Sequence, residues 1–157
     1  MDLTQSWVRH WRTSPDASVI RTPSDERILT GSQVDELTAR IATHLHQSGV
    51  GRGDRVLFSC APSVETVLCY VAILRLGAVV VPANTGYTSR ELSHVVNDSS
   101  PVLAIIDAPE RGDGHGLIAL TPHALVAGAR SLSREPNLPL DEGHDGGAGI
   151  RRQGEHR

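Results

Sequence analysis

Apolar positions between residues 30 and 106 fall into two patterns that take turns along the chain. Val34, Leu37, Ile41, Ala42 and Leu45 recur three or four apart, the spacing of one buried helix face. Ser32 stands ahead of them as a candidate N-cap, and Gly49 supplies the stop. After the turn Gly51-Arg52-Gly53-Asp54, residues 55–59 read as a short buried strand. Pro62-Ser63 opens a second helix with Ser63 as its cap, Val64, Val67, Leu68, Val71 and Ala72 as one face, and Ile73, Leu74 and Leu76 widening it until Gly77. A second strand, Ala78 to Val81, is expected to be buried and is closed by Pro82. Thr88 with Glu91 three residues on makes a capping box for a third helix, whose inner face is Leu92, Val95 and Val96. Pro101 separates it from a third strand, Val102 to Ile106, and a weaker fourth unit follows as strand 117–120 and helix 122–130.

The strands are β-branched and apolar throughout rather than alternating with polar residues, as parallel strands covered on both sides are. The expected fold is α/β: a doubly wound, mostly parallel sheet with helices on both faces. Trp7 and Trp11 lie four apart and are expected to pack a short N-terminal helix onto this unit. From Ser133 to Arg157 the only apolar residues are Leu138, Leu140, Ala148 and Ile150. Such a stretch buries too little surface to offset its ordering entropy, so the chain is expected to divide into a domain over 1–132 and a disordered tail over 133–157.

Composition removes several function classes. A net charge of −3 lacks the basic excess of a phosphate-backbone binder, and 3% aromatic residues make a poor base-stacking platform. The longest apolar run, Val67 to Leu74, is far short of the ~20 residues that span a bilayer. The first residues show no basic and apolar leader, and there are only two cysteines, so the expected compartment is the cytoplasm. All 15 basic residues are arginine. The absence of lysine excludes a Schiff-base lysine and the lysine of a phosphate loop from this chain, and it suggests a GC-rich genome.

Candidate chemistry is sparse. Ligands of a doubly wound sheet sit at the carboxyl ends of its strands. The segments there are Cys60-Ala61-Pro62-Ser63, without the glycines of a phosphate cradle, and Ala83-Asn84-Thr85-Gly86-Tyr87, which reads as a turn before it reads as a binding loop. The glycine-rich run 143–149 has no following lysine, hydroxyl or helix pattern. His44 and His46 are two apart and point to different sides of a helix, while His94, His115, His123 and His144 stand alone, so no metal site is expected. Cys60 and Cys69 read as structural thiols.

Several blocks, in order, resemble the AMP-forming adenylating enzymes, the superfamily of acyl-CoA synthetases, peptide-synthetase adenylation domains and luciferases. They are Leu29-Thr30-Gly31-Ser32-Gln33-Val34-Asp35-Glu36-Leu37, Gly49 to Val56, Ala61 to Glu65, Leu74 to Asn84, Thr88 to Leu92, and Asn97-Asp98-Ser99, with Pro15-Asp16-Ala17 resembling the approach to the first strand. The resemblance covers residues 15–107. It departs from the family pattern at Gly31, where an aromatic is usual, at Gln33 for a glutamate, and at Arg75 for a lysine.

The resemblance implies a two-step reaction: a carboxylate attacks ATP to give an acyl-adenylate and pyrophosphate, and a thiol such as CoA then takes the acyl group. It also implies ATP, Mg²⁺ and CoA for the full-length family, with a Thr/Ser/Gly-rich loop ending in lysine, a downstream glutamate and aspartate, and a lysine on a small C-terminal domain. None of these matches a position here, so no catalytic, cofactor-binding or metal residue is assigned. The expected identity is a truncated AMP-dependent acyl-CoA synthetase, an N-terminal fragment of an enzyme acting on a fatty acid or another carboxylate, not competent alone. The alternative is an interaction or complementation module that pairs with a separately encoded remainder of the ligase.

Overall fold

The computed structural model describes residues 3–24 and 28–131; the tail expectation and the glycine-rich run lie outside these residues. Helix α1 (Gln5–Thr13) leads into an antiparallel pair, β1 (Ser18–Arg21) and β2 (Ile28–Thr30), and then α2 (Gly31–Gln47). The alternating unit follows as β3 (Arg55–Ser59), α3 (Val64–Arg75), β4 (Val79–Pro82), α4 (Ser89–Ser99), β5 (Leu103–Ile106), α5 (Pro109–Asp113), β6 (Ala119–Leu120) and α6 (Pro122–Ser131). Strands β3 to β6 form one parallel sheet in the order β4-β3-β5-β6.

That order explains why both faces are covered. The chain steps outward from β3 to β4 and then returns past β3 to β5. Because parallel crossovers are right-handed, reversing direction moves the connecting helix to the other face. The alternation within each strand follows suit. Val56 and Phe58 of β3 and Leu103 and Ile105 of β5 pack with α2, α3 and α6, where Ile41, Leu45, Leu68, Ile73 and Leu125 fill the larger core. Leu57, Ala104 and Ile106 point the opposite way, into a smaller core shared with Leu92, Val95 and Val96 of α4. On that side Gly112 of α5 lets the helix lie on the sheet: a Cβ there would stand 2.8 Å from the Ala119 Cβ.

The sheet, the doubly wound covering and the elements expected over 31–131 are present, with four corrections. The cap of α2 is Thr30, not Ser32: the Gln33 side chain accepts the Thr30 amide at 2.9 Å in a capping box. Trp11 is buried in the core, but Trp7 is 43% exposed, so of the two only Trp11 packs α1 onto the unit. Val67 is 46% exposed, because the inner stripe of α3 is Leu68, Cys69, Ala72, Ile73 and Arg75. Val79 is 47% exposed, because β4 lies at the sheet edge rather than inside it. The capping expectations at Ser63 and at Thr88 with Glu91 hold: Ser63 Oγ accepts from the Thr66 amide at 3.0 Å, and Glu91 accepts from the Thr88 amide at 2.8 Å. The Thr88 hydroxyl donates to the same carboxylate at 2.8 Å, and the amide and hydroxyl together hold the Glu91 carboxyl below its usual range.

Helix α4 ends on Ser100 with φ of 47°, a left-handed conformation that costs a side-chain-bearing residue about 1 kcal/mol. Ser100→Gly is therefore expected to stabilise the fold by roughly 0.5–1 kcal/mol. A rise in the urea midpoint with an unchanged slope would show it; an unchanged or lower midpoint would argue against strain at this cap.

Candidate functional site

Strands β3 and β5 are neighbours whose following helices leave to opposite faces, which places the switch point of the sheet between their carboxyl ends. Crevices of this kind hold ligands in doubly wound folds. The first expected segment, 60–63, lies here, and Asp107 meets it from the end of β5. One Asp107 carboxylate oxygen accepts from the Ala61 amide, and the Asp107 amide donates to the Ser59 carbonyl at 3.3 Å. Cys60 Sγ donates to the Ile105 carbonyl at 3.3 Å, and Thr66 Oγ1 donates to the Ala61 carbonyl at 2.8 Å. The pairing of Asp107 with residue 61 depends on β3 lying beside β5, which no local sequence pattern announces.

The second segment, 83–87, is a turn. Asn84 Oδ1 accepts from the Gly86 amide at 2.8 Å, and the Asn84 carbonyl accepts from the Tyr87 amide at 3.1 Å. Arg111 of α5 clasps this turn from below, donating to the carbonyls of Thr85 and Tyr87, each at 2.9 Å. Its guanidinium nitrogens NH1 and NH2 are thus turned to backbone. The two segments come to the same end of the sheet, yet their polar atoms bond within the fold, and the charge between β3 and β5 is a carboxylate. This is a poor fit to a polyphosphate, which calls for amides and cations turned outward.

Both thiols sit in surroundings that disfavour the thiolate. Burial, helped by the nearby Asp107 carboxylate, pushes Cys60 up to about 12, and burial pushes Cys69 up to about 12 as well. Thiolate is the reactive form, so both are protonated at neutral pH. Each thiol holds its proton more tightly folded than unfolded. Its stabilising contribution is therefore present below pH 9 and is lost as the pH rises from 9 towards 12. Slow labelling by a thiol reagent at pH 8, accelerated by urea, is the expected result; fast labelling of the native chain would contradict the buried assignment.

Among the described residues, no group of three or more His, Cys, Asp and Glu converges on a point. No described helix is long and apolar enough to cross a membrane. A feature the sequence did not announce is a groove of about 490 Å³ between α1 and α2, floored by Trp11, Pro15 and Ala39. Its charges pair across and along it: Arg12 with Asp35 at 3.0 Å, and Arg40 with Glu36 at 2.7 Å. The groove depends on how closely α1 folds back onto α2, and only Gly31 hints at that approach.

The likenesses to known proteins agree with this architecture. The 3-hydroxybenzoate–CoA/4-hydroxybenzoate–CoA ligase of Thauera aromatica is 42% identical over 83 residues, which is 53% of this chain and 16% of that enzyme. Long-chain-fatty-acid–CoA ligase FadD13 of Mycobacterium tuberculosis is 34% identical over 96 residues, which is 61% of this chain and 19% of that enzyme. The chain thus spans less than a fifth of the length of either relative. Among solved structures, the N-terminal subdomain of Klebsiella oxytoca NpsA superimposes with a TM-score of 0.76 at 21% identity, covering 88% of this chain and 34% of that one. The N-terminal domain of FACL13 from M. tuberculosis gives a TM-score of 0.74 at 26% identity, covering 88% of this chain and 38% of that one. Residues 7–143 match the family described as AMP-binding enzyme, reaching beyond the 15–107 blocks on both sides, and the chain belongs to that family.

Proposed function

We propose that this chain is the N-terminal portion of an ATP-dependent, AMP-forming carboxylate–CoA ligase, and that its 157 residues serve as scaffold rather than catalyst. What carries the reading is the family match over residues 7–143, combined with its extent: the chain corresponds to about a third of the solved N-terminal subdomains it resembles and less than a fifth of the matched ligases. The inward-turned polar groups at the carboxyl ends of β3 and β4 support it, as does the lack of any lysine. ATP, Mg²⁺ and CoA are then ligands of the whole ligase; no group in this chain is assigned to them. The acyl substrate, a fatty acid, an aromatic acid or another carboxylate, is set outside these residues.

The test is carboxylate-dependent pyrophosphate release, measured on the purified chain with ATP, Mg²⁺ and a panel of benzoates and fatty acids. No release above the blank is expected. Turnover that scales with the concentration of the chain would overturn the scaffold reading.

A second reading, a module that pairs with a separately encoded remainder, draws on one observation. The outer edge of β4 has no partner strand among the described residues, and Val79 on that strand is exposed. Of the devices that usually guard a sheet edge, charge, bulge or proline, β4 has only Pro82 at its end. Producing this chain and the remainder of the Thauera ligase as two polypeptides separates the readings. Activity in the two-chain mixture supports pairing; activity only when the two are covalently joined refutes it.

A further inference from the structure

We draw no further inference here: the strongest candidate, the cluster of Ser59, Cys60 and Asp107 at the carboxyl ends of β3 and β5, rests on a helix N-terminus and a lone cysteine, and the buried Ser59 hydroxyl that has no partner lies on the same strand face as Leu57, towards the smaller core and away from α3.

Discussion

Replacing Asp35 with alanine is expected to remove about 3 kcal/mol of stability, enough to lower the melting temperature by roughly 10 °C. Asp35 is the hub of three helices. Its Oδ1 accepts from Arg75 NH1 of α3 at 2.8 Å, and its Oδ2 accepts from Arg12 Nε of α1 at 3.0 Å. The Arg75 side chain is only 4% exposed, and NH1 also donates to the Asp35 carbonyl and to Thr38 Oγ1. Without the carboxylate, the buried guanidinium keeps the Asp35 carbonyl and the Thr38 hydroxyl but loses one acceptor and its counter-charge, and an unpaired buried charge is what makes such changes costly. Arg12→Ala breaks the other arm, where the arginine is half exposed, so less than about 1 kcal/mol is expected there. Urea titrations of both variants decide the matter. A loss under about 1 kcal/mol for Asp35→Ala would mean that water already solvates Arg75. The double change of Asp35→Leu with Arg75→Met should recover most of the loss, because both charges leave the interior together.

Gly31→Ala is the second large effect. A Cβ at this position would stand 2.9 Å from the carbonyl oxygens of Trp11 and Ser14 and 3.1 Å from the Trp11 Cα. These are backbone atoms, so a rotamer change cannot relieve the contact and α1 must move. Overpacking of this kind costs about 2 kcal/mol. The readout is fluorescence in a Trp7→Phe background, where Trp11 alone reports. Displacement of α1 uncovers Trp11 and shifts its emission to the red; an unshifted spectrum with unchanged stability would show that α1 does not approach α2 this closely. The same contact explains a departure from the family pattern. An aromatic side chain at position 31 cannot be accommodated with α1 where it lies, so the glycine and the close-set helix belong together.

The parts of the fold that could be read from sequence are those with dense apolar runs. Strands β3 and β5 bury residues on both faces, so Val56 to Phe58 and Leu103 to Ile106 show no polar alternation and stand out. Strand β4 has the same composition but a different address. Nothing in Ala78-Val79-Val80-Val81 says that it lies at the edge, because that follows from the return crossover to β5. The β1–β2 pair is harder still: Ser18 to Arg21 buries no residue fully, so it leaves no hydrophobic signature. At the start of α2, both Thr30 and Ser32 have a polar residue three positions on. Tertiary structure settles the choice, since Asp35 is drawn to Arg75 and Arg12 while Gln33 is left to close the Thr30 box.

The candidate site was legible in place but not in detail. Apolar strands followed by polar turns located the carboxyl ends, and Asn84 followed by Gly86 gave the turn. The bonds that close those ends come from Asp107 and Arg111, each more than twenty residues from its partner. Such pairs form only once the strand order is set, which is why a spacing rule does not find them.

The most direct measurement joins residues 1–131 of this chain to the part of the Thauera ligase that follows its matching segment, and assays hydroxybenzoate–CoA formation beside the isolated chain. The scaffold account predicts an active chimera with the substrate range of the Thauera enzyme and no pyrophosphate release by the chain alone. A folded but inactive chimera, or an isolated chain that adenylates a carboxylate, would contradict it.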